Sequence, residues 1–143
     1  MRNLFMVFAL AVLFPQLVGA KETDFKQKLL GHWTCHEKNL RSGKNDREEI
    51  YVTPETIVLF TYINNEQPAE AATPRRYSLV VLNEKARKVK LTTYSSNREI
   101  EMEEALTFSK DWTSARHDYM NGNVIDKTIP TTTWKHVDNR QRP

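Results

Sequence analysis

Cysteine is almost absent from this chain, because Cys35 is the only one among its 143 residues. Zinc ribbons, iron–sulfur clusters and disulfide frameworks all need several cysteines, so these classes are excluded. Small secreted animal domains usually carry several disulfides, so the single thiol is not typical of that class. Because a lone cysteine on an apolar strand face is usually buried, we expect Cys35 to be inert, with a disulfide link between two chains as the alternative.

Glycine and an excess of one charge are also scarce. The four glycines form no phosphate-binding loop, and the 21 basic and 18 acidic residues leave a net charge of only +3. A near-balanced surface of this kind does not predict nucleic-acid binding. With 39% hydrophobic residues the chain can build one core, but it is too short for two domains.

Long apolar runs are confined to the N-terminus. Arg2 precedes the apolar run Leu4–Phe14, and Val18-Gly19-Ala20 supplies the small residues that a signal peptidase recognises. The run is shorter than the ~20 apolar residues of a membrane-spanning helix. The sequence therefore predicts a signal peptide over residues 1–20 and a secreted, most simply periplasmic, domain over residues 21–143. We expect no stable membrane insertion after cleavage.

The mature chain is typical of an all-β domain. After a short helical turn at Phe25–Leu30, β-branched and aromatic residues alternate with polar ones between closely spaced turn signals. The predicted strands are Gly31–Lys38, Glu49–Val52, Thr56–Ile63, Tyr77–Leu82, Val89–Tyr94, Ile100–Phe108, Trp112–Tyr119 and Val124–Ile129. Thr131–Val137 continues the last of these past Pro130, which implies a bulge, a bend or an edge there. About eight consecutive antiparallel strands predict an up-and-down β-barrel, with a two-sheet sandwich as the alternative.

The entry into the first strand, Leu29-Leu30-Gly31-His32-Trp33, resembles the start of lipocalins and related calycin barrels. The likeness is to minimal bacterial secreted members, because the usual lipocalin disulfide is missing. The resemblance implies that Gly31 and Trp33 form a barrel-end motif. Trp33 would plug the closed end, and a basic residue near the chain terminus would pack over its ring. Lys135 is the expected partner, and Arg140 is the alternative.

The hairpin Ile100–Tyr119 holds the candidate binding residues. A turn centred on Lys110 would place Phe108 opposite Trp112 and Glu104 opposite Arg116. These side chains share the apolar face of the hairpin, so we expect them inside the barrel. A buried carboxylate beside a cation could orient the head group of a ligand. The predicted ligand-binding residues are Glu104, Arg116, Trp112, Phe108 and Leu106.

No metal, cofactor or catalytic set is predicted. His32 and His36 lie ~13 Å apart along a strand and point away from Cys35, so they cannot share an ion with it. On the face opposite Glu104, His117 beside Asp126 is the nearest approach to a catalytic dyad. No nucleophile is placed to complete it. We therefore expect a protein that is not an enzyme.

Two functions follow from these observations. The first is non-catalytic binding of a small apolar or amphipathic ligand within the barrel, which the lipocalin resemblance implies. The alternative is a protein-binding module that contacts a secreted or envelope protein through the loops Asn39–Asp46 and Asn64–Pro74. Such a module would be an inhibitor, an immunity protein or an accessory factor for envelope assembly.

Overall fold

The computed structural model describes residues 21–38, 45–63, 66 and 72–137. The predicted signal peptide and the alternative basic partner Arg140 lie outside these residues. Residues 21–29 are helical, and none of the described helical residues belongs to a helix long and apolar enough to span a membrane.

The described residues form nine β-strands, which agree broadly with the pattern of alternating side chains. The strands are β1 (Gly31–Lys38), β2 (Asn45–Val52), β3 (Thr56–Ile63), β4 (Arg75–Asn83), β5 (Lys88–Tyr94), β6 (Ile100–Phe108), β7 (Ser114–Asn121), β8 (Val124–Ile125) and β9 (Thr132–His136). Strand β2 begins four residues earlier than predicted, and β7 begins two residues later.

Eight of these strands close into an antiparallel barrel. The neighbours run in the order β6, β5, β4, β3, β2, β1, β9 and β7, and β6 also pairs with β7. The two-residue β8 pairs only with the end of β7 and stands outside the wall. The predicted eight-stranded all-β barrel is confirmed, and the alternative two-sheet sandwich is wrong.

The predicted strand Val124–Ile129 is wrong, because pairing stops at Ile125. The Asp126 carboxylate accepts hydrogen bonds from the amide and the hydroxyl of Thr128, at 2.9 and 2.6 Å. These side-chain bonds compete with the backbone hydrogen bonds between β7 and β8. Pro130 has no N–H with which strand pairing could resume. Strand β9 therefore begins at Thr132, where it pairs with both β7 and β1 and completes the barrel.

The wall is held least firmly between β3 and β4. Only Thr56 with Arg76, and Ile57 with Arg75, are paired across this seam. By contrast, β2 pairs with β3 along seven residue positions from Asp46 to Val52. Because each ladder hydrogen bond resists separation, the β3–β4 seam is the place where the wall opens at least cost.

Aromatic and aliphatic side chains fill one end of the barrel, which we call the closed end. Phe25 and Leu29 from the helix, together with Trp33 and Phe108, are 0–4% exposed. The indole Nε1–H of Trp33 donates to the carbonyl of Leu29 at 2.8 Å, so the helix and the first strand are joined directly. Strands β1, β3, β5 and β7 finish at the other end, which we call the open end.

Candidate functional site

Three polar side chains form a hydrogen-bonded chain inside the barrel: Glu104 on β6, His117 on β7 and Thr132 on β9. Nε2 of His117 lies 2.7 Å from Oε1 of Glu104, and its Nδ1 lies 2.9 Å from Oγ1 of Thr132. In the neutral imidazole, Nε2–H donates to the carboxylate and Nδ1 accepts from the hydroxyl. The His117 and Glu104 side chains are 2% and 7% exposed and Thr132 is partly buried, so the buried imidazole and carboxylate both have hydrogen-bond partners within this chain.

Strand register brings these three residues to one face. His117 lies opposite Leu106 on β6 and opposite Thr132 on β9, and directly paired residues share a face of the sheet. The imidazole stacks on Trp134 with ring centroids 5.1 Å apart, and Tyr119 meets it edge-on at 4.7 Å. The ring is therefore held by packing as well as by its two hydrogen bonds.

The predicted pairing of Glu104 with Arg116 is wrong. Phe108 pairs with Ala115 and Glu104 pairs with Tyr119, a shift of three positions from the predicted register. Because side chains alternate between faces, an odd shift exchanges the inner and outer sets. His117 takes the interior position, while Arg116 lies on the outer face, where it forms an ion pair with Asp118 at 3.0 Å.

The turn between β6 and β7 causes this shift. The Asp111 carboxylate accepts hydrogen bonds from the Ser109 hydroxyl at 2.7 Å and from the Thr113 amide at 3.1 Å. These bonds hold the pKa of Asp111 below its ordinary 3.8, at about 2, the largest contribution coming from Ser109. Trp112 adopts a left-handed conformation with φ 64°, and five residues, 109–113, connect the strands instead of a tight turn centred on Lys110.

The other predicted ligand-binding residues lie at or near the closed end. Leu106 is fully buried and Phe108 is 2% exposed, both inside the barrel. Trp112 stands in the turn, where its ring meets Phe25 at 5.3 Å and Phe108 at 5.1 Å. Phe108 and Trp112 thus belong to the packed closed end of the barrel, whereas Glu104 lies nearer the open end.

The predicted contact of Lys135 with Trp33 is wrong, because Lys135 is exposed on the outer face. The next residue, His136, lies opposite Trp33 and packs edge-on against the indole with centroids 4.8 Å apart. A Cβ atom on Gly31 would lie 2.9 Å from Nε2 of His136. The fully buried Trp33 does occupy the closed end, and Gly31 provides room for the ring that covers it.

A small cavity of about 40 Å³ lies beside the polar chain, toward the β3–β4 seam. Its lining residues are Ile50, Ile57, Leu59, Arg75, Thr93, Met102, Glu104 and Trp134. The cation on this wall is therefore Arg75 instead of the predicted Arg116. Arg75 is held by Glu101 at 2.5 Å. A volume of this size accommodates about one water molecule, not an acyl chain.

The predicted His117–Asp126 dyad does not form, because His117 faces the interior and Asp126 binds Thr128. On the outer face, the ring of His32 contacts the Glu49 carboxylate through Nε2 and stacks on Tyr51 with centroids 4.4 Å apart. Within the described ranges, no three histidine, cysteine, aspartate or glutamate side chains group closely enough to hold a metal ion.

Comparison of the chain with protein-family models, curated proteins and solved structures finds no match. The closed eight-stranded barrel is compatible with a lipocalin-like fold.

Sequence reasoning found Glu104 but missed both of its companions. The predicted register between β6 and β7 differs by three positions from the observed one, and it places His117 on the outer face. Thr132 resembles the neighbouring threonines of the run 131–133 and carries no distinguishing pattern. The one usable signal was the alternation Ala115, His117, Tyr119, whose small and aromatic residues suit an interior strand face.

Proposed function

We propose that this protein is a secreted, non-catalytic, lipocalin-like binding protein. Its ligand is a small amphipathic molecule that enters the open half of the barrel. The observation that carries this proposal is the buried Glu104–His117–Thr132 chain beside the interior cavity. Secretion rests on the N-terminal sequence pattern alone.

The buried polar groups support a binding role because they stabilise the fold less than apolar residues would. Replacing a buried ion pair by well-packed hydrophobic residues is often neutral or stabilising. Glu104 and Arg75 present opposite charges to the same cavity, and a polar head group could exchange hydrogen bonds with both. The apolar remainder of the ligand would contact Leu59, Met102 and Trp134.

The size of the cavity sets a condition on this proposal. At about 40 Å³ it cannot take an acyl chain without movement of its walls. Two of its lining residues, Ile57 and Leu59, belong to β3, which shares only two residue pairs with β4. Met102 is unbranched and adapts its shape readily. Ligand entry would therefore separate β3 from β4 and displace Met102.

The small cavity is also what favours the second candidate, a protein-binding module. A barrel whose interior is filled by its own side chains acts through its outer surface and loops. The predicted loops Asn39–Asp46 and Asn64–Pro74 lie for the most part outside the described residues. The two candidates differ in one measurable respect, since only the first requires the interior to admit a ligand.

The test is native mass spectrometry of the chain from Lys21 onward, followed by titration with the fluorescent probe 11-(dansylamino)undecanoic acid. We expect saturable probe binding that Leu59→Trp abolishes, because the larger ring fills the cavity. Val58→Trp is the matched control, since Val58 alternates with Ile57 and Leu59 and faces outward. Circular dichroism verifies that both variants fold, and Leu59→Phe replaces Leu59→Trp if the latter does not.

A discrete added mass that is lost on denaturation would support a small ligand. Probe binding that survives equally in the Leu59 and Val58 variants would overturn the interior site. A bare monomer mass together with no probe binding would reject the first candidate and favour the protein-binding module.

A further inference from the structure

A second concave surface lies on the outside of the barrel, where β4 begins and β5 ends. It has a volume of about 710 Å³ and is lined in part by Arg76, Tyr94, Ser95, Ser96 and Arg98. Arg76 alternates with the buried Tyr77 and pairs with Tyr94, so both side chains lie on the outer wall. We call this surface the arginine groove. It is separate from the interior cavity beside Glu104.

The arginine groove contains two guanidinium groups that form no ion pair with another described residue. Among the described residues, neither Arg76 nor Arg98 has an ion-pair partner. By contrast, Arg75 is paired with Glu101, and Arg116 is paired with Asp118. The carboxylate of Glu101 is thus already engaged next to the groove. Two unpaired guanidinium groups lining one concave surface create a positive potential that attracts anions.

A serine hydroxyl in the groove also lacks a partner. Oγ of Ser95 is buried and has no hydrogen bond within the described part of the chain. Its backbone is well held, since its amide donates to the carbonyl of Glu99 at 2.9 Å and its carbonyl accepts from Arg98 at 3.0 Å. An unsatisfied buried hydroxyl destabilises the fold, and a ligand oxygen at this point would satisfy it.

Arg98 itself is held in an unfavourable backbone conformation. Its φ is 64°, in the left-handed region where glycine is readily accommodated and other L-residues are not. Glycine would therefore suit this turn better than arginine. Strained residues of this kind concentrate at ligand-binding sites, where the side chain has a use that outweighs the strain.

We propose that the arginine groove binds a small phosphate or sulfate ester. Arg76 and Arg98 would donate N–H hydrogen bonds to the oxyanion, as guanidinium groups do with tetrahedral anions. The hydroxyls of Ser95 and Ser96 would donate to the same oxygens. The ring of Tyr94, whose hydroxyl is bonded to Ser78 at 2.9 Å, would contact the organic part of the ligand.

The test is a set of titrations of the ¹⁵N-labelled chain from Lys21 onward, followed by amide chemical shifts. Three probes are used: inorganic phosphate, phenyl phosphate, and vesicles of phosphatidylcholine with and without phosphatidic acid. We expect saturable shifts at residues 95–98, with phenyl phosphate binding at least tenfold more tightly than inorganic phosphate. Binding to the acidic vesicles alone would identify a lipid head group as the source of the same oxyanion.

Four variants separate a built site from general charge attraction. Arg76→Gln and Arg98→Gln should each weaken phenyl phosphate binding at least tenfold. Arg116→Gln removes the same charge from β7, outside the residues that line the groove, and should leave binding unchanged. Arg98→Gly should raise the melting temperature by relieving the left-handed strain, and it should abolish binding at the same time.

Two results would overturn the proposal. One is the absence of saturable shifts with every probe. The other is an equal loss of binding in the Arg116 and Arg76 variants, which would show that net charge alone is responsible. Retention of full affinity by Arg98→Gly would also reject the role given to that side chain. Thermal melting of each variant verifies that lost binding does not reflect unfolding.

Discussion

Nε2 of His117 and Oε1 of Glu104 lie 2.7 Å apart in a part of the barrel from which solvent is excluded. This pair joins β6 to β7 through side chains, next to the backbone ladder that already connects them. It also places the most polar part of the interior beside the cavity near the β3–β4 seam. Stability and the proposed ligand binding would therefore depend on the same two residues.

Removing the Glu104 carboxylate should destabilise the fold more than removing a neighbouring exposed one. We expect Glu104→Ala to lower the free energy of unfolding by about 2–4 kcal/mol, because His117 is left buried without an acceptor. Glu101→Ala is the control, and its effect should be below about 1 kcal/mol because the Glu101–Arg75 pair is partly exposed. Urea denaturation measures both. Equal midpoints would show that the Glu104–His117 bond contributes little.

The same pair can be tested by a double-mutant cycle. Glu104→Leu and His117→Phe should each destabilise the protein, since each leaves one buried polar group unsatisfied. The double variant should be markedly less destabilised than the sum of the single effects, because both polar groups are then gone. Strict additivity would mean that the two side chains do not interact.

Trp33 should be the most sensitive position of the closed end. It is fully buried and donates a hydrogen bond to Leu29, so Trp33→Ala should destabilise the fold by about 3–5 kcal/mol. Trp112→Ala should have a smaller effect, since Trp112 is only partly buried in a turn. Chemical denaturation with far-ultraviolet circular dichroism compares them. A Trp33 variant that melts like the parent would contradict its role as a plug.

Gly31 should resist substitution more strongly than Gly122, because only at Gly31 does a neighbouring side chain lie in the way. Both have positive φ, but a Cβ on Gly31 would meet His136 at 2.9 Å, whereas a Cβ on Gly122 would meet nothing within 4 Å. We expect Gly122→Ala to destabilise by about 1 kcal/mol and Gly31→Ala by more. The double variant Gly31→Ala with His136→Ala should recover part of the loss beyond that of His136→Ala alone. Similar melting temperatures for the two glycine variants would argue against the close approach of His136.

Asp111 should make stability depend on pH in the acidic range. Its folded-state pKa is lowered to about 2 from 3.8 by hydrogen bonds led by Ser109. A lowered folded pKa contributes stability above the unfolded value, and this contribution is lost as pH falls through the folded value. The melting-temperature difference between the parent and Asp111→Asn should therefore be constant near neutrality and shrink between about pH 4 and pH 2.

Lys110→Gln, a change at the adjacent exposed residue, serves as the control for Asp111 and should show no such convergence. Carbon-detected NMR titration of the Asp111 carboxyl measures the pKa directly. A value near 3.8 would contradict the hydrogen-bonded turn.

The thiol of Cys35 should be unreactive in the folded protein. Its side chain is 0% exposed and faces the interior beside Trp134. We expect alkylation by iodoacetamide to be slow in native buffer and fast in denaturant, because a buried thiol reacts only when the structure opens. Rapid labelling of the native protein, or a disulfide-linked dimer under oxidising conditions, would contradict this burial.

Much of the barrel could be predicted from the alternation of side chains. Segments such as Thr56–Ile63 and Ile100–Phe108 agree with the observed β3 and β6 residue for residue. The closed end could also be predicted, because the resemblance carried by Gly31 and Trp33 implied a buried tryptophan. The candidate binding residues were harder to predict, because the position of each depends on the relative register of two strands. The observed register differs from the predicted one by three positions. Arg116 therefore lies outside the barrel and His117 inside, which is the reverse of the prediction.

The sequence by itself determined the class of fold and the interior position of Glu104, because these follow from local periodicity and hydrophobicity. The burial of Trp33 was implied by the resemblance of the first strand to lipocalin-type barrels. Tertiary structure alone decided that His117, not Arg116, would join Glu104, and that His136, not Lys135, would cover Trp33. Both outcomes depend on loop geometry: side-chain hydrogen bonds to Asp111 and Asp126 set where β7 and β9 begin. A strand's starting point decides which half of its side chains faces the core, and no periodicity within the strand carries that information.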